Sequence, residues 1–214
     1  MVVRRVGKII RLCAEQYFKG RLLDIGCGEK LKATFLGDLV EEYVGLDHES
    51  TLHDRNCVDI WGSACEIPEP DNSFDSVLCT SVLEHIEEPE QALRESFRIL
   101  KPGGYAIYTV PFFWHLHEEP RDFFRYSKYG VEYLFNKSGF RVVDLLPLSG
   151  FWLTFGSELS YYLNAVIAKP LKHISALGTL VNNLVFPLLD SVDISMNRHA
   201  RDWTWLYLVV AKKP

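Results

Sequence analysis

The chain has 214 residues, enough for one domain with an elaboration and for a sizeable buried core. With 48% hydrophobic and 24% charged residues it reads as an ordinary globular protein, and a formal net charge of −5 argues against a broad nucleic-acid-binding surface. The five cysteines (Cys13, Cys27, Cys57, Cys65, Cys79) are odd in number and lack C-x-x-C spacing, so they read as small buried residues of a reduced, cytoplasmic compartment rather than a disulfide frame or zinc site.

The opening stretch, MVVRRVGKIIRLCAEQYFKG, is basic but has no long apolar core or small-residue cleavage site. It is expected to be an amphipathic helix, not a signal peptide. Val6, Ile9, Ile10, Cys13, Ala14 and Tyr17 recur at helical spacing, and Gly20 ends the helix. RLLDIG is then a short buried strand, EYVGLD (Glu42 to Asp47) a second, NCVDIW a weaker third, and FDSVLCT (Phe74 to Thr80) a fourth, preceded by the turn formers of PEPDNS. A helix from Pro89 to Leu100 is stopped by KPGG, and YAIYTVPF forms a fifth strand. Strands alternating with helices imply parallel pairing in a doubly wound sheet. Further on, Ser127 caps a short helix, KYGVEYLFNKS, which Gly139 closes, and FRVVDLLPL is a sixth strand. Residues 149–201 read as an apolar, helical insertion ahead of a last strand, TWLYLVVAKK, that needs a slot in the sheet. No internal repeat or low-complexity segment is visible.

The stretch LLDIGCGEK carries the first functional signal. In a doubly wound sheet, ligands sit beyond the carboxyl ends of the strands, and glycines there let backbone N–H groups approach closely. Asp47 ends the second strand, where a carboxylate can accept hydrogen bonds from both hydroxyls of a ribose. The plainer alternative is a tight turn beside an exposed acid. The third glycine of a dinucleotide fingerprint is missing, since Lys30 follows Gly28-Glu29, and no Gly-Lys-Ser/Thr follows. A nicotinamide oxidoreductase and a P-loop are therefore disfavoured. A ligand with ribose and adenine but no phosphate fits better.

LLDIGCG, YVGLD, EIPEPDNSFDSVLCTSVLEHI and RILKPGGYAIYTVP, in this order over roughly Arg21 to Phe113, resemble the class I S-adenosylmethionine-dependent methyltransferases. The resemblance implies an α/β fold: a Rossmann-like, doubly wound, seven-stranded sheet, mostly parallel, with an antiparallel last strand inserted beside the fifth. It implies one methyltransferase domain over 1–214 and S-adenosyl-L-methionine as cofactor. By position, Asp24, Gly26 and Gly28 would surround the methionine end, Asp47 would hold the ribose, and His48 would lie beside the adenine. Ser63, followed by Ala64, stands where the family often has an aspartate that bonds the adenine amino group. Thr80 and Ser81 would floor the site near the sulfonium, and Lys30 stands where the family prefers a small residue.

The acceptor side is less determined. FFWHLHEEPRDFFRYS (Phe112 to Ser127) reads either as a salt-bridged clamp or as an acceptor-facing loop. In the second reading His117, His115 or Glu118 is a base, and Arg121, Arg125 and Tyr126 bind the acceptor. Metal binding by His115-x-His117-Glu118 lacks a distant ligand cluster, so no metal is expected. Glu84-His85 reads as structural or cofactor-side. The apolar stretches within 149–201 admit three roles: helices capping the sheet or pairing subunits into a homodimer, a lid over an apolar substrate, or weak association with a membrane surface. The loop and the insertion together are expected to form the acceptor pocket. The function expected is methyl transfer to a small-molecule or lipid- or sugar-linked acceptor. The alternative is a methyltransferase-like partner protein without turnover.

Overall fold

The computed structural model describes residues 2–51, 55–167 and 172–214. Seven strands form one sheet: β1 (Arg21–Ile25), β2 (Glu42–Asp47), β3 (Ile60–Trp61), β4 (Phe74–Thr80), β5 (Leu100–Pro111), β6 (Arg141–Pro147) and β7 (Leu206–Lys212). Their order is β3-β2-β1-β4-β5-β7-β6, with β7 antiparallel to both neighbours and the other pairs parallel. TWLYLVVAKK thus occupies the slot beside the fifth strand.

Alternation along the strands sends side chains to two cores. Leu22, Leu78, Ile107, Leu208 and Val210 pack under the first helix, α1 (Val2–Tyr17), which contributes Ile10, Cys13 and Ala14. Leu23, Val77, Ala106, Tyr108 and Val209 face the other way. There they meet Ala92 and Leu93 of a helix at Pro89–Ile99, and Val131 and Phe135 of one at Lys128–Lys137. The chain between β1 and β2 forms only a single turn of helix, α2 (Ala33–Leu36), so the remaining helices in order are α3, α4, α5 (Phe151–Ile167) and α6 (Lys172–Met196). Ser127 caps α4 as expected, accepting from the Gly130 N–H. The fifth strand is longer than the sequence suggests. It begins at Leu100 and carries the KPGG segment through a register shift opposite Phe74–Ser76, where Gly104 lies so close to the Asp75 carbonyl that a Cβ would come within 2.8 Å of it.

The insertion is a helical hairpin. Asp190 of α6, fully buried, accepts from the Gly150 and Leu153 N–H groups and so caps the start of α5. Gly156 admits the Phe186 ring, to which a Cβ would come within 2.2 Å. Pro187 lies inside α6 without ending it. Among the described residues no helix is long and apolar enough to cross a membrane.

Candidate cofactor and acceptor cavity

The strand order reverses between β1 and β4, and a cavity of about 770 Å³ opens beyond their carboxyl ends. Gly26 turns the chain out of β1 at φ +67°, with its α-carbon so near Val82 that a Cβ would lie 2.3 Å from a methyl group. Gly28 is also left-handed, and its N–H donates to Asp47 Oδ2 at 2.9 Å. The His48 N–H donates to Asp47 Oδ1 at 2.7 Å. These two donors fix the carboxylate at the cavity wall and leave each oxygen a second lone pair. Lys30 adopts the left-handed conformation too. Its side chain crosses the bare α-carbon of Gly45 to pair with Asp59, so it does not line the cavity.

Of the residues implied for the cofactor, Gly26, Gly28, Asp47, His48, Ser63, Ala64, Thr80 and Ser81 line this cavity. Asp24 does not. It is fully buried beneath it, accepts from the Tyr43 hydroxyl at 2.8 Å, and lies 3.6 Å from the Lys32 ammonium. Burial pushes its carboxyl above the ordinary value, and its Oδ1 has no hydrogen-bond partner within the protein. Cys27, between the two glycines, is also a wall residue, and burial with the Asp24 and Asp47 charges pushes its thiol up to about 12.

The loop after β5 closes the far side. Glu118, Arg121 and Phe123 line the cavity, and Arg121 donates to Ser50 Oγ at 2.8 Å across its mouth. His115, His117, Arg125 and Tyr126 are not among the lining residues. His115 sits 3.1 Å from Glu158 of α5, while Trp114 packs edge-on against Tyr161. Arg125 binds both oxygens of Asp122 and donates to the Trp114 and His115 carbonyls. Tyr126 is buried and donates to the Leu83 carbonyl. The polar ends of Arg125 and Tyr126, read from sequence as acceptor-binding, are thus occupied in holding the loop against the sheet. Among the described residues the insertion contributes none to the cavity wall, contrary to the expectation of a shared pocket. It braces the loop from behind through Glu158 and Tyr161.

Glu84 and His85 divide between the two roles the sequence offers them, Glu84 buried in the fold and His85 at the cavity. They follow β4 in a turn of 3-10 helix, Leu83–His85, that delivers His85 to the cavity wall. The Nδ1 of His85 lies 2.6 Å from the Arg121 carbonyl, which can only accept, so Nδ1 carries the proton. Its Nε2 faces Glu118 Oε2 at 3.9 Å, and its ring meets the His117 ring edge-on at 4.8 Å. Burial pushes the Glu84 carboxyl up to about 8.

A Rossmann-like sheet with this switch-point cavity defines the fold class of the molecule, and comparison with known proteins shows what it is similar to. Residues 23–108 match the family model described as "Methyltransferase domain". A "Probable S-adenosylmethionine-dependent methyltransferase" of Mycolicibacterium smegmatis is 36% identical over 96 residues, covering 42% of this chain and 37% of that protein. A "Ubiquinone biosynthesis O-methyltransferase" of Chromobacterium violaceum is 29% identical over 104 residues, covering 42% and 44%. Among solved structures, the [4+2]-cyclase SpnF superposes with a TM-score of 0.63 at 20% identity, over 97% of this chain and 81% of that one, which bears on the fold alone. Over residues 23–108 the chain is thus similar to a methyltransferase domain. It spans about two fifths of the length of the two curated relatives.

Proposed function

We propose that the protein transfers the methyl group of S-adenosyl-L-methionine to a hydroxyl on a small, partly apolar acceptor. The observation that carries this reading is the cavity's division into two walls. One wall, formed by Gly26, Gly28 and Asp47, offers close backbone approach and a buried carboxylate, which suit a nucleoside without phosphates. The other, with His85, Glu118, Arg121 and Phe123, combines titratable groups with an aromatic face.

The residues present fit the cofactor. Asp47 keeps lone pairs for both ribose hydroxyls, Ser63 and Ala64 lie at the cavity wall for the adenine, and the unpartnered Oδ1 of Asp24 lies under the turn expected at the methionine end. When bound, the cofactor supplies an electrophilic methyl group on a sulfonium. Thr80 and Ser81 floor that region, and the Arg121–Ser50 bridge across the mouth restricts water. Glu118 stands at the cavity wall where an acceptor's proton can be taken up. Arg121 offers a positive charge to an anionic part of the acceptor. The relative named for O-methylation in ubiquinone biosynthesis favours a hydroxyl acceptor.

Two measurements test the reading: calorimetric titration with S-adenosylhomocysteine, and mass-spectrometric detection of products from a panel of hydroxylated aromatic and quinone-like acceptors. Micromolar binding and a product heavier by one methyl group are expected. No binding at submillimolar ligand would overturn the cofactor assignment, and binding without any product across the panel would favour a partner protein that has lost turnover.

A further inference from the structure

Three polar side chains converge beside the cavity without a shared purpose in the fold. The ligand atoms of Glu84, His85 and His117 all lie within 4.8 Å of one another. Glu84 is 1% exposed, and its Oε2 has no hydrogen-bond partner. The Nδ1 of His117 is likewise buried and unpartnered, standing 3.3 Å from Asp122 Oδ2 outside hydrogen-bond geometry. Natural folds rarely leave two buried polar atoms unsatisfied within one cluster, because each has given up its hydrogen bonds to water without replacing them.

We infer that Glu84, His85 and His117 form a binding site for a divalent transition-metal cation on the wall of the acceptor cavity. Two imidazoles and one carboxylate are a donor set for zinc or ferrous iron. Tetrahedral coordination at about 2.0–2.2 Å puts ligand atoms roughly 3.3 Å apart, so the three groups need to draw together by about an ångström or more. The surroundings suit that role. His85 donates its Nδ1–H to the Arg121 carbonyl, which leaves the Nε2 lone pair for a metal. Asp122, held by both arms of Arg125, lies 3.3 Å from His117 Nδ1 and adds negative charge beside that ligand. Glu118, with Oε2 3.9 Å from His85 Nε2, adds negative charge on the cavity side. The trio differs from the His115-x-His117-Glu118 pattern of the sequence, because His115 turns away to Glu158.

Three protein ligands leave a position open, and His85 brings that position to the cavity wall. The use of the site rests on the methyltransferase reading, whereas the binding itself does not. An acceptor hydroxyl at the open position loses its proton to solvent more easily. Its oxygen then forms the new C–O bond to the methyl carbon as the C–S electron pair returns to sulfur.

The test uses the full chain, stripped with a chelator and titrated with cobalt(II) chloride, followed by visible absorption, with zinc(II) chloride as competitor. One equivalent of cobalt with visible d–d bands, displaced by zinc, is expected. H85Q, H117A and E84Q should each weaken binding at least tenfold, with circular dichroism reporting that each variant folds. The proposal fails if the folded wild-type protein takes up no cobalt at millimolar concentration, or if binding survives all three substitutions. A parallel titration of the stripped protein with S-adenosylhomocysteine separates the two readings. Cofactor-product binding without cobalt binding sinks the metal site alone. Cobalt binding without cofactor-product binding sinks the methyltransferase reading and leaves the site standing.

Discussion

Replacing Asp47 by asparagine discriminates sharply between a carboxylate that holds a ligand and one that merely ends a strand. Asp47 is 9% exposed, and its two oxygens accept from different backbone donors, Gly28 N at 2.9 Å and His48 N at 2.7 Å. Asparagine has almost the same shape but only one acceptor. Whichever way the amide faces, one of the two N–H groups then points at an NH₂. A hydrogen bond to a charged group contributes about 1.5–3 kcal/mol, so the variant should lose roughly that much stability. The midpoint of guanidinium unfolding should fall accordingly. Ribose hydroxyls would use the remaining lone pairs of the same oxygens. Affinity for S-adenosylhomocysteine, measured by calorimetry on the folded variant, should therefore drop about tenfold to a hundredfold. Undiminished affinity would refute the ribose role. Undiminished stability would refute the backbone-fixing role, and the two outcomes are separately readable.

The glycine turn predicts a second contrast. Gly26→Ala must hold a β-carbon at φ +67° and within 2.3 Å of a Val82 methyl, so a loss of about 2–5 kcal/mol is expected, whereas Gly37→Ala, at φ −62° with open space around it, should change stability by well under 1 kcal/mol. Equal unfolding midpoints for the two variants would contradict this account of the turn. Cys27 supplies a pH test, because its thiol is held up to about 12, chiefly by burial and then by the Asp24 and Asp47 charges. The folded state keeps the proton more tightly than the unfolded one, so the associated stability is full below the ordinary thiol value of 9 and is lost as pH rises through 9 towards 12. At pH 8, iodoacetamide should label Cys27 about a thousandfold more slowly than an ordinary thiol, as read by peptide mass mapping; rapid labelling of the folded protein would show that the site is not so shielded.

The cofactor side was legible in the sequence because its determinants are local. Each of β1, β2 and β4 is a short apolar run ending at its turn or acid, so a reader of RLLDIG and EYVGLD can place Gly26 and Asp47 at one sheet edge. The weak NCVDIW signal matched a strand of only two residues, Ile60–Trp61. The acceptor side was less legible because its partners are distant in sequence. Nothing near Arg125 says that its guanidinium will serve Asp122 and two carbonyls, and nothing near Glu84 says that His117 will arrive beside it. The cap of α5 is supplied by Asp190, 40 residues on, which no helix-start rule applied to SGFWLTF can find.

The same separation explains how one short loop can carry several histidines with different duties. The Phe123 and Phe124 N–H groups donate to the Glu84 carbonyl, and the Tyr126 hydroxyl donates to that of Leu83, so the loop's second half is stitched to the end of β4. Arg125 ties the first half to the second. Between these anchors, alternate residues point in opposite directions. His115 goes to Glu158 of the insertion, and His117 goes to Asp122 and the His85 ring. Among the described residues, a change in the insertion reaches the cavity through the loop, by way of the His115–Glu158, His115–Tyr161 and Trp114–Tyr161 contacts. Variation in the helical hairpin should accordingly alter how the acceptor wall is held, while the backbone of Gly26 and the carboxylate of Asp47, fixed by strand ends on the other wall, are insulated from it. On the proposed reading, that division of labour would let cofactor binding and acceptor choice vary separately on one sheet edge.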